Sequence, residues 1–153
     1  MELAKHHADW AFGYQDETWW SRYAHPRLRS WMEKEQFLKL IEPADDPKDP
    51  EPKAIACYGL AVHWYETLPD KHEEVWLRFV EGNPCSALTI QYLEWLLEKT
   101  QLAGKKALVM LWDHATWHKS LAVRTWIRTH NQTVKKAQHG IRLLTFLLPK
   151  KSP

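Results

Sequence analysis

Two aspartates stand directly after apolar, strand-like runs. Asp16 follows residues 10–15 (WAFGYQ), and Asp113 follows residues 106–112 (KALVMLW). In an open α/β sheet, carboxylates at the carboxyl ends of neighbouring strands converge on one crevice. A converging pair of hard oxygen donors suits magnesium, which keeps coordination positions open for phosphate. Two such ions about 3.5–4 Å apart activate an attacking oxygen and stabilise a leaving oxygen at phosphorus. Taken singly, each residue also reads as ordinary structure, Asp16 as a turn residue and Asp113 as a helix cap. Taken together, with the basic segment that follows Asp113, they read as a metal-dependent site for phosphoryl chemistry.

Other polar residues are weaker candidates. His114 and His118 have the i, i+4 spacing of a zinc pair, but no third ligand follows at a usual distance. His6-His7 reads as a polar terminus. Glu17 reads as an exposed turn acid that could assist at the site, and Glu17, Glu81 and Glu94 are the acids available upstream as a third ligand. Trp19 and Trp20 offer stacking surfaces for bases, although core or interface packing is the commoner role of such residues. Lys119, Lys135, Lys136, Lys150 and Lys151 are candidate phosphate contacts.

These side chains need elements to hold them. Residues 10–15 alternate strictly and predict a strand ending at Asp16-Glu17. Residues 18–31 read as irregular, with a short strand near 28–31. Residues 42–53 (EPADDPKDPEPK) hold four prolines and five acids and predict a loop. Residues 54–65 and 75–80 predict two further strands. The period then changes: Ile90, Leu93, Leu96 and Leu97 mark an amphipathic helix over 86–103, with Ser86 as N-cap and Gly104 just past its end. Residues 106–112 predict a buried parallel strand. Ser120 caps a second helix, with Val123, Trp126, Ile127, His130 and Val134 on one face and Gly140 ending it. Residues 141–148 predict a last strand, stopped by Pro149. Three strands, helix, strand, helix, strand describes an antiparallel meander followed by crossover units that force parallel neighbours.

The chain has 153 residues, the length of a single domain. Its longest apolar run is the six residues 107–112, too short to span a bilayer, so no membrane partner is expected. Cys57 and Cys85 lie far apart, which excludes a disulfide framework and a cysteine zinc site. The net charge of +2 hides an asymmetry. No Asp or Glu follows Asp113, and that segment carries eight basic residues; residues 1–113 hold 13 basic against 19 acidic ones. A one-signed segment of this size points to a polyanion partner.

Residues 107–127 (ALVMLWDHATWHKSLAVRTWI) resemble the second-aspartate motif of mariner-like bacterial insertion-sequence transposases: an apolar strand, Asp-Asn, a few residues, His, then a helix. Residues 15–31 (QDETWWSRYAHPRLRSW) resemble the first-aspartate motif, Asp-Glu followed later by Trp. Residues 140–153 (GIRLLTFLLPKKSP) are similar to the strand leading into Leu-Pro-x-x-Ser-Pro, and residues 76–96 fit the strand and helix between. The order and spacing of these motifs span essentially the whole chain.

The resemblance implies an α/β, RNase H-like fold of the DDE integrase superfamily: a mixed five-stranded sheet, three antiparallel strands then parallel ones, flanked by helices. It implies metal-dependent DNA cleavage and strand transfer, with Asp16 and Asp113 as catalytic metal ligands in a two-metal magnesium site that manganese can also fill. The implied partners are transposon ends, target DNA and further copies of the chain in a synaptic complex, in a bacterial cytoplasm at the nucleoid. His114 stands where the family has Asn. The family's third acid and its N-terminal helix-turn-helix have no counterpart in residues 1–153. The expectation is therefore a single catalytic core over 1–153, incomplete at the C-terminus, lacking the last helix and marginal in stability. An inactive transposase remnant that binds DNA or a transposase partner is the alternative, and an RNase H-like nuclease with its own third acid is another.

Overall fold

The computed structural model describes residues 6–21, 54–67 and 70–149. Its elements are β1 (Trp10–Ser21), β2 (Ala54–Thr67), β3 (Asp70–Glu81), α1 (Ser86–Leu102), β4 (Ala107–Trp112), α2 (Leu121–Ala137) and β5 (Arg142–Leu147). The strands form one sheet in the order β3-β2-β1-β4-β5. β1, β2 and β3 pair antiparallel, whereas β4 pairs parallel with β1 and β5 parallel with β4. This mixed five-stranded sheet with two crossover helices is the RNase H-like arrangement.

The alternation of β1 decides which face is core. Ala11, Gly13 and Gln15 are buried, while Trp10 and Phe12 are half-buried and Tyr14 is exposed. The aromatic side of this strand is therefore its open side. The small side is forced by packing: a Cβ on Gly13 would lie 2.6 Å from Leu60 Cδ1. On the covered face, Ala11, Leu60, Val62, Leu108, Met110 and Leu143 meet Leu93, Leu96 and Leu97 of α1 and Val123 of α2 in one core. Each such aliphatic side chain contributes roughly 1.5–3 kcal/mol on burial. β4 is buried along nearly its whole length, only Leu111 being half-buried, as expected for a central parallel strand.

Several boundaries differ from the sequence expectation. β1 does not end at Asp16-Glu17; it pairs with β2 as far as Ser21↔Ala54. Thr18, Trp19 and Trp20 are strand formers, and a full-length β2 partner extends them where composition suggested irregular chain. β3 likewise begins at Asp70, because its charged first half still pairs with β2. Ser86 is the first residue of α1, and Cys85 holds the N-cap position without a side-chain bond. Ser120 caps α2 as predicted, its Oγ accepting from the Val123 N–H. Gly104, at positive φ, follows the end of α1 as expected, whereas α2 ends on Gln138 in the left-handed conformation and Gly140, also at positive φ, lies beyond it. The predicted strand near 28–31 and the loop at 42–53 lie outside the described residues.

Candidate active site

Parallel pairing of β1 with β4 sets the site. The register runs Trp10↔Ala107, Phe12↔Val109 and Tyr14↔Leu111. The paired residues end there; continued by two residues, the same register would bring Asp16 level with Asp113. Asp113 stands just past the end of β4, as predicted, but Asp16 sits within β1, held by antiparallel pairing to Gly59. A Cβ on Gly59 would come within 3.2 Å of Leu77 Cδ2 on the neighbouring strand.

Both carboxylates are exposed, and each has one oxygen occupied. Asp16 Oδ1 accepts from the Glu17 N–H at 2.9 Å. Asp113 Oδ1 accepts from the Ala115 N–H at 2.8 Å and lies 2.9 Å from His118 Nδ1. The second oxygen of each is unpartnered among the described residues, an acceptor arrangement that fits a hard divalent cation. Among the described residues, no group of three or more His, Cys, Asp and Glu side chains is placed to hold a metal.

Behind Asp113 lies a buried polar array that the sequence did not reveal. Glu17 is not an exposed turn acid. Alternation along β1 turns it to the covered face with Ala11, Gly13 and Gln15, where its side chain is 3 % exposed. Glu17 Oε1 lies 2.8 Å from His118 Nε2. His118 thus has a carboxylate near each ring nitrogen, and Nδ1 also lies 3.4 Å from the Asp113 carbonyl oxygen. Trp112 stacks on the ring with centroids 4.4 Å apart. Burial opposes charge on His118, but Glu17 and then Asp113 outweigh it and hold the imidazolium above its ordinary range. Gln15 is buried just behind, and its side-chain amide has no hydrogen-bond partner among the described residues.

The remaining candidates separate. Residues 114–118 are turn, not helix, so the i, i+4 zinc geometry does not form. His114 Nε2 donates to the Leu148 carbonyl at 2.6 Å and ties the end of β5 to the β4 exit. Trp19 and Trp20 are 50% and 57% exposed, so neither is a core residue. Of the upstream acids, Glu17 is committed to His118, Glu81 ends β3 and Glu94 lies exposed on α1. Lys119, Lys135 and Lys136 are exposed, and Lys150 and Lys151 lie outside the described residues.

No family model matches the sequence, and no curated protein matches it. Solved structures do resemble it. One is a Mos1 transposase paired-end complex with left transposon end, 17% identical over 87% of this chain and 34% of that chain, with a TM-score of 0.45. Another is a Mos1 mariner paired end complex with Mn, 17% identical over 92% of this chain and 36% of that one, with a TM-score of 0.43. The chain thus spans about a third of the length of these proteins.

Proposed function

We propose that this chain is the catalytic core of a DDE-type DNA transposase of the mariner-like bacterial insertion-sequence group, with Asp16 and Asp113 as metal ligands. The observation that supports the reading is the parallel β1–β4 register, which, extended past Tyr14↔Leu111, would bring the two aspartates to the same level. The RNase H-like strand order and the ordered motifs around both residues support it. Magnesium, or manganese in its place, would be held by the unpartnered carboxylate oxygens and would supply Lewis-acid activation of a phosphodiester.

The chain's own residues then have distinct tasks. Asp113 is oriented by the Ala115 N–H and by His118, so its second oxygen faces outward. His118 is fixed by Glu17 and by stacking on Trp112, which makes it a positioning residue. The partners on this reading are DNA, as transposon ends and target, and further copies of the chain, in the bacterial cytoplasm.

Nicking of supercoiled plasmid in magnesium or manganese tests the reading. The wild-type chain is expected to nick, and Asp16→Asn and Asp113→Asn are each expected to abolish it. Nicking that persists in both variants would falsify the metal-site assignment. A wild-type chain that binds DNA without nicking would return the inactive-remnant alternative.

A further inference from the structure

The opposite end of the sheet carries a second charged feature. A groove of about 830 Å³ opens where α2 ends and β4 and β5 begin, lined by Lys106, Arg128, Gln132, Lys135, His139 and Arg142 among others. β4 separates it from Asp113 by seven residues, roughly 23 Å of strand. It is therefore distinct from the aspartate edge.

The groove's construction is rigid and one-signed. Asn131 fixes α2 to β5 by accepting from the Leu143 N–H at 3.0 Å and donating to the Leu143 carbonyl at 2.7 Å. The preceding residue, His130, donates from Nε2 to the Ile141 carbonyl at 2.8 Å. Gln138, at φ 52, and Gly140, at φ 108, turn the chain sharply between the two walls. None of the lining residues is acidic. Lys106 approaches Asp9 at 3.6 Å, but Arg128, Lys135 and Arg142 have no carboxylate partner among the described residues.

Lys135 stands in the last turn of α2, where a cation also offsets the helix dipole. That account does not reach Arg128, two turns earlier, or Arg142 on β5. Arg128, Gln132 and Lys135 follow i, i+4, i+7 spacing and share one helix face. Arg128 and Lys135 are about 10.5 Å apart along the axis. One DNA strand advances about 3.4 Å along the duplex axis per phosphate, so this row spans about three such steps.

We infer that this groove is a second DNA-backbone contact, engaging a phosphodiester strand through Arg128, Lys135 and Arg142 at a distance from the cleavage edge. The inference rests on the DNA-directed function proposed above and extends the contact surface to a face that reading does not use. Two arginines and a lysine suit phosphate oxygens without reading base sequence.

Fluorescence anisotropy of a labelled ~30-bp duplex, titrated from about 50 to about 200 mM KCl, tests it. Substituting Arg128, Lys135 and Arg142 together by Gln is expected to reduce the slope of log K against log salt by about 2.7 and to weaken binding tenfold or more. The single variants Arg128→Gln and Arg142→Gln, both at exposed positions, should each lower the slope by about 0.9. The charge-preserving set Arg128→Lys, Lys135→Arg and Arg142→Lys should keep the wild-type slope. A wild-type slope in the triple Gln variant and both singles overturns the inference. None of the three residues lies at the aspartate edge. Unchanged salt dependence with intact nicking therefore defeats the groove alone, whereas nicking retained in Asp16→Asn and Asp113→Asn with an intact slope effect defeats the aspartate site and leaves the groove standing. A wild-type chain that fails to bind duplex at the lowest salt defeats both.

Discussion

At the residue scale, the place of Asp113 was legible because the apolar run before it ends a strand, whereas the run before Asp16 marked β1 but not its end, since the strand continues to Ser21. Glu17 and His118 were not legible as partners, since 101 residues separate them and only the β1–β4 pairing joins them. One signal was available: counting by twos from Ala11 puts Glu17 with the small residues of β1, and small residues mark the packed side of a strand. The pair is nearly inaccessible, with side chains 0% and 3% exposed. Removing one partner leaves the other buried and unmatched, which costs about 3–5 kcal/mol. His118→Ala should therefore lower unfolding stability in urea by that amount, and a loss under about 1 kcal/mol would contradict the burial argument. His63 gives a pH test elsewhere. Burial, then Lys71, push its pKa below the ordinary value. The unfolded chain then binds the proton more readily, so stability is full above about pH 6.5 and is lost as pH falls through the lower folded value. His63 packs on Phe12 with ring centroids 5.9 Å apart, and His63→Phe preserves that contact. Urea midpoints at about pH 7.5 and about pH 5.5 should show the wild type losing more stability than His63→Phe, and equal losses would count against this assignment.

At the element scale, the order of strands and helices followed from periodicity, and both helices fall within a residue or two of their expected ends. The strand ends in the meander did not, because pairing partners rather than local composition set their length. Composition at 18–21 is aromatic and polar, and Asp70–Glu74 is mostly charged, yet β2 pairs with both. The aromatic alternation of β1 named a strand correctly but left its buried face undecided, since Trp10, Phe12 and Tyr14 lie on the open side. Gly13 decides it. Its missing Cβ accommodates Leu60, which is fully buried. Gly13→Ala should overpack the core and cost about 1–3 kcal/mol, and pairing it with Leu60→Val should recover part of the loss. Thermal unfolding of the three variants checks this, and a Gly13→Ala protein as stable as wild type would contradict the packing.

At the scale of the whole molecule, both helices cover one face of the sheet. The other face presents Tyr14, Val75, Leu77, Phe79 and Phe146 at 49% exposure or more. Apolar surface of this extent favours association. Sedimentation velocity should show self-association that Val75→Lys with Phe79→Lys reduces, and a wild-type chain monomeric at all concentrations would oppose it. The candidate site is itself a whole-molecule property. Asp16 and Asp113 stand 97 positions apart in sequence, and on the proposed reading the return of β4 beside β1 makes them neighbours. Manganese titration followed by electron paramagnetic resonance tests that neighbourhood most directly. The site predicts that Asp16→Asn and Asp113→Asn each weaken binding ~10-fold or more, and that the double variant is little worse than either single one. Wild-type manganese binding in either single variant would show that the two aspartates do not form one site.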